Sequence, residues 1–469
     1  MIKDDLSANA ISGTATPSIR YRGGMSVVLL LLAQTISAAE SLDFSVGVNA
    51  PEVVSQPVAN SPEATVNSAL VQLCPSVLLT ENATALTLNS VCDFFKGTAP
   101  LTQAQVEVLR EISPKVNTSP ALIVSRSPAI RFSGDIASRL AALRRGARIG
   151  TIATRFRASR HNGEFDLPIF RAGSDPEGSL GLFSQRLSGF ANGNFASAKQ
   201  NDTTTEMGFD SRGQGLTVGM DYRFGLRTFM GVSPQFNRVS ATLDDTGSEL
   251  NAQQYAVVIY GSHFLTDLWY VEGTLARGNQ ALALKRQISL TIDNQTVQVA
   301  ALGDTHSAQT SVSVGTGTDF SLPKSANLSL MANVVYARSS IDGYTETDAG
   351  SLNLTINKQT VSSTTTQLTA SLSRAFSLRW GVLIPQLGAT WLHELSNGGD
   401  RLQAQFAADS QGTQFGFVTQ NQDSNYYIVN VDAQLLMPGG RVGFARYSNV
   451  RLLRDHTETG VTVGYRMEF

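Results

Sequence analysis

The chain has 469 residues, 36 of them basic and 38 acidic, for a net charge of −2. That length fits two or more domains, or one large barrel and something smaller. Balanced charge without basic runs argues against a nucleic-acid binder. The one long apolar run, near Val27, leaves no ordinary transmembrane helix elsewhere.

Arg20, Arg22 and Gly23-Gly24 precede Met25, an apolar stretch fills Ser26–Ala33, and small residues close it, with Ser37 and Ala39 ahead of the expected cut. Residues 1–39 therefore read as a secretory signal peptide cleaved after Ala39 and too short to span a bilayer. Either Met25 is the true start or the signal is extended. Export to an oxidising compartment follows. Residues 40–65 are rich in Ser, Ala, Val, Pro and Asn without a period, as in a linker.

Residues 66–130 read as a small helical unit. Its pieces are Val66–Leu73, Ala85–Phe95, and a helix opened by the capping box Thr102-Gln-Ala-Gln105 and closed by Ser113-Pro114. Cys74 and Cys92 are the only cysteines, and after export they are expected to form one disulfide. A metal pair would lack other ligands nearby, and a catalytic thiol would lack an adjacent histidine.

Residues 131–180 hold an amphipathic helix and a second linker. Ile136, Leu140, Leu143 and Ala147 form one apolar stripe, with Arg139, Arg144, Arg145 and Arg148 on other faces. Two readings stand. The helix lies on a surface, or it sits in the lumen of the barrel that follows. In the second case lumenal Asp221, Glu272, Asp432 and Glu468 are its expected partners.

From Gly181 the period changes to two. Leu216, Val218, Met220, Tyr222 and Phe224 alternate with Thr217, Gly219, Asp221 and Arg223. One face suits lipid and the other a polar lumen. The design recurs at Leu328–Tyr336, Leu383–Trp391 and Tyr427–Leu435. Short connections fall at Gly225–Arg227, Leu265–Asp267, Ser321–Ala326, Ser377–Trp380 and Pro438–Gly440. Long polar ones fall near 237–252, 279–307, 339–366 and 396–424. Such sorting is expected of an outer-membrane barrel with its short turns in the periplasm. About twelve strands are expected, with Arg446 inward and Tyr447 outward. Arg374, outward, sits near a short turn where it can snorkel. At the end, Val461, Val463, Tyr465, Met467 and Phe469 alternate with polar or small residues to the last position. Alone, this decapeptide also suits the closing strand of a soluble sandwich.

No G-x-S-x-G, H-E-x-x-H or P-loop occurs. Gly173-Ser-Asp175 is not a lipase motif, and His161, His263, His306, His393 and His456 are scattered. No enzyme, cofactor or metal site is expected.

The segments Gly215–Phe224, Leu383–Glu394, Arg401–Phe406 with Phe415, and Gly460–Phe469 together resemble the autotransporter β-domain of type V secretion. The resemblance implies a mainly β fold: a twelve-stranded antiparallel transmembrane barrel over 181–469, in the outer membrane, with a helix through its pore. It implies anchoring and translocation of a short passenger to the cell surface. The C-terminal alternation would be read by the barrel-assembly machinery, after export through the Sec translocon. The chain departs from the pattern in having no β-helical repeats and no Asn-Asn pair between helix and barrel, so self-cleavage is not expected. The alternative is a porin-like or channel barrel with a periplasmic N-terminal domain.

Overall fold

The structure, a computed structural model, describes residues 57, 59, 61–75, 88–96, 100–114, the helical positions 136, 139–141, 143 and 144, and 186–468 apart from 204–206, 226, 244–246, 293, 397–400, 419–422 and 439. The expected signal peptide, its cut after Ala39, Arg145, Arg148, Phe469 and the side chain of Glu468 lie outside the described residues.

Seven strands open the barrel: β1 (Leu187–Gln200), β2 (Phe209–Phe224), β3 (Thr228–Leu243), β4 (Glu249–Phe264), β5 (Trp269–Ile292), β6 (Gln295–Leu322) and β7 (Ala326–Ile341). Two short strands follow, β8 (Tyr344–Thr345) and β9 (Leu354–Ile356), then β10 (Gln359–Arg374), β11 (Phe376–Leu378) and β12 (Gly381–Glu394). Then come β13 (Arg401–Phe406), β14 (Phe415–Val418), β15 (Asn425–Met437), β16 (Arg441–Arg451) and β17 (His456–Glu468). Twelve of these, β1–β7, β10, β12 and β15–β17, pair antiparallel in a ring. β17 closes it against β1, from Ser188↔Glu468 to Gln200↔His456. Closure leaves no edge unpaired, the condition for strands in hydrocarbon.

The period-two pattern sets which side faces out. Leu216, Val218, Met220, Tyr255, Val257, Ile259, Val314, Leu387 and Val431 are exposed on the outer wall. Their neighbours in sequence, such as Thr217, Ser311, Ser313 and Asp432, are buried in the bore. Tyr447 is outward, and Arg374 lies with its guanidinium 4.9 Å from the Phe376 ring.

The five short turns gather at one end, where β17 also finishes. The other end differs from expectation. The stretch 279–307 is no loop: β5 and β6 run on as a hairpin, paired to Ile292↔Gln295, with Asn294 at φ 61° in the turn. The connections at 339–366 and 396–424 contain β8, β9, β13 and β14, a second four-stranded sheet.

Among the described residues, the helices α1 (Pro62–Leu73), α2 (Leu88–Phe94) and α3 (Gln103–Ile112) precede the helical positions between 136 and 144 and the barrel. α1 starts inside the stretch read as linker, because Ser61 caps it through the Ala64 N–H and Pro62 suits the first turn. α3 has the Thr102–Gln105 capping box. Cys74 and Cys92 are joined by a disulfide, with their Cα atoms 5.3 Å apart. Helices this short do not by themselves enclose a large core. Val66, Leu70, Leu73, Val91, Leu109 and Ile112 instead share one apolar core with Ile288 and Leu290 of β5, Leu354 and Ile356 of β9, Phe406 of β13 and Phe415 of β14.

Candidate functional site

The bore is layered. Near the short-turn end lie the helical residues Ile136, Arg139, Leu140, Ala141, Leu143 and Arg144. Ile136, Leu140 and Leu143 pack on inward Phe190, Phe229, Val258, Tyr260, Phe264 and Tyr270 of β1, β3, β4 and β5. Arg139 is paired with Asp221 of β2, donates to Ser188 Oγ at 2.8 Å, and lies 4.8 Å from the centre of the Phe190 ring. Asp221 also accepts from Ser188 Oγ, at 3.0 Å, and from the Tyr260 hydroxyl. Arg144 is paired with Glu272 of β5 and lies 3.9 Å over the Tyr270 ring. All four charged groups are buried. Buried charges are costly unless paired and further hydrogen-bonded, and here each arginine has a carboxylate and an aromatic face.

The rings themselves are held by cross-strand glycines. Tyr260 lies opposite Gly231 and Tyr270 opposite Gly317. A Cβ at either glycine would strike the ring, so only glycine admits this close approach. Phe190, Tyr260 and Tyr270 stand out in no single strand. Their signal is an aromatic in the lumenal phase facing a glycine one strand away.

Two of the four expected acids, Asp221 and Glu272, meet the helix. Asp432 does not: it is paired with Arg446, directly opposite it on β16, and also accepts from Asn430 Nδ2. Above this layer the bore is largely polar, with Gln254 hydrogen-bonded to Gln309, Ser307 to Ser339 at 2.8 Å, and the Glu394 carboxylate accepting from Ser363 and Thr365 at 2.8 Å. Towards the long-connection end it turns apolar again, through Phe209, Leu243, Leu250, Leu282, Leu284, Ile341 and Val361.

Over that end sits the platform for α1–α3. The Arg286 guanidinium binds the Glu346 carboxylate in a fork, Nε at 3.0 Å and a terminal nitrogen at 2.5 Å, and that nitrogen also donates to Leu352 O at 2.9 Å. Bidentate geometry of this kind fixes orientation as well as supplying energy. Burial, with the Glu346 carboxylate nearby, pushes the Tyr344 phenol above its ordinary value. The helices dock by polar contacts too. Leu88 N donates to Ser351 Oγ at 2.9 Å, and Ser289 N to Glu111 Oε2 at 3.0 Å. Burial raises the Glu111 carboxyl above the usual carboxylate range, although the Ser289 N–H opposes this.

On β17, Val461, Val463 and Tyr465 face outward and Met467 is half-buried. Histidines serve as strand-to-strand partners: His263 with Thr228 at 2.8 Å, His393 with Asn425 at 3.0 Å, His456 with Gln200 at 3.1 Å.

A family model for the autotransporter beta-domain matches residues 189–448, just over half of the chain. No curated protein matches. Among solved structures, the translocator domain of the autotransporter NalP from Neisseria meningitidis is 16% identical, with a TM-score of 0.49 over 71% of this chain and 98% of that one. The beta domain of the Bordetella autotransporter Brka is 16% identical, with a TM-score of 0.45 over 61% and 100%. The transport unit of AIDA-I from Escherichia coli is 11% identical, with a TM-score of 0.38 over 62% and 93%.

Proposed function

Because the chain belongs to the autotransporter β-domain family, an outer-membrane barrel that translocates and anchors a short passenger, we propose that α1–α3 are that passenger and stay docked on the barrel's outer end. The helix around Arg139 and Arg144 then closes the periplasmic end of the bore. Export through the Sec translocon on the 1–39 signal precedes this, and the alternation Val461, Val463, Tyr465, Met467, Phe469 in the sequence is the assembly signal. Catalysis has no part in it.

One observation carries the reading. The apolar faces of α1 and α3 share a core with the β5–β6 hairpin and with β9, β13 and β14, at the end opposite the short turns. The lumenal helix lies at the other end, against Ser188 near the start of β1, Asp221 near the end of β2 and Glu272 near the start of β5. The intervening residues 113–135 reach about 75 Å at full extension, ample for the length of the bore. A periplasmic N-terminal domain would require the long connections, not the short turns, to face the periplasm.

An epitope placed at Ala59, exposed just ahead of α1, tests this. Antibody is expected to bind it on intact cells. Binding only after the outer membrane is permeabilised would reject the surface passenger and favour the channel with a periplasmic domain.

A further inference from the structure

We propose that the outer wall of β17, β1, β2 and β3 carries a binding site for the phosphate of an outer-leaflet glycolipid, centred on Arg212 and Arg238. The site is a groove of about 650 Å³, lined by Phe195, Arg212, Gln214, Arg238, Thr459 and Val461 among others.

Register defines it. One outward row runs Thr459, Ser197, Arg212, Ser240, Asn251, and the row below runs Val461, Phe195, Gln214, Arg238, Gln253. The charged residues in both rows are the two arginines, and there is no acid. Both are exposed, and neither makes an ion pair or hydrogen bond among the described residues. The acid nearest in sequence, Asp210, is paired with Lys199 at 3.7 Å one row higher.

Height selects the ligand. The outward residues of β2 climb from Phe224 through Met220 and Val218 to Leu216, all exposed and apolar. At about 3.4 Å per residue and a tilt of roughly 40°, those eight steps rise about 20 Å, close to the roughly 25 Å apolar band of such barrels. Gln214 and Arg212 come next, at the level of lipid headgroups. Two guanidiniums flanking a groove suit a phosphate oxygen pair, while Phe195 and Val461 level with Arg238, and Leu216 and Val463 one row lower, offer apolar wall to acyl chains. That this end meets the outer leaflet rests on the orientation proposed above.

Full-length protein in detergent should be incubated with a bisphosphorylated diglucosamine lipid, with its dephosphorylated form, or with inorganic phosphate, and bound lipid counted by native mass spectrometry. Retention of the phosphorylated lipid over the dephosphorylated one is expected. An R212Q/R238Q variant is expected to bind it about 30-fold more weakly, near fivefold per arginine, with its barrel still folded by heat-modifiable gel mobility. Equal retention of both lipids would overturn the proposal, as would an unchanged double variant. Displacement of the lipid by millimolar inorganic phosphate would show a simple anion site and overturn it too. None of these outcomes depends on where the passenger resides in cells, which the Ala59 epitope tests separately.

Discussion

Asp221 gathers three donors at one carboxylate: Arg139, Ser188 and Tyr260. Removing one partner of a buried pair leaves an uncompensated charge and costs about 3–5 kcal/mol. Asp221→Asn should therefore loosen the lumenal helix and raise single-channel conductance in planar bilayers. Asp432→Asn should not, since Asp432 serves Arg446. Equal conductance in both variants would reject plugging through Asp221. Asp221 and Glu272 were legible as lumenal acids from period two alone. Asp432 was misassigned because its competitor lies directly across the strand pair, a relation that needs register. The glycine-backed tyrosines were illegible for the same reason.

At the scale of elements, the disulfide closes a loop between residues 18 apart in sequence, a constraint of about 3 kcal/mol. A C74S/C92S variant should lose protease protection of α1–α3 by on the order of a hundredfold, while the barrel keeps its heat-modifiable mobility. Unchanged protection would mean that docking on β5 and β14 holds the helices without the bridge. The capping box of α3 was readable because T-x-x-Q is local. The start of α1 carried an equally local signal, Ser61-Pro62, but the composition of its surroundings hid it. The β5–β6 hairpin was missed for a different reason. Leu282, Leu284, Ile288, Leu290 and Ile292 continue the alternation well past the roughly ten residues that a membrane strand needs, so a strand cut to that length turns the rest into loop.

Across the whole molecule, strand number and sidedness followed from the sequence because each depends on alternation and turn spacing. The shared core of α1–α3 with β9, β13 and β14 did not, since Leu354, Phe406 and Phe415 come from separated segments that only the folded chain brings together. The barrel wall is oily outside and polar or packed within. Single cysteines at Ser311, Val312, Ser313 and Val314 of β6, spin-labelled in lipid bilayers, test it most directly. Val312 and Val314 are 38% and 64% exposed, Ser311 and Ser313 7% and 6%. Labels at 312 and 314 should collide with oxygen dissolved in the bilayer and be shielded from a water-soluble nickel complex, and those at 311 and 313 should be screened from bilayer oxygen. Ready access of the nickel complex to the labels at 312 and 314 would contradict it.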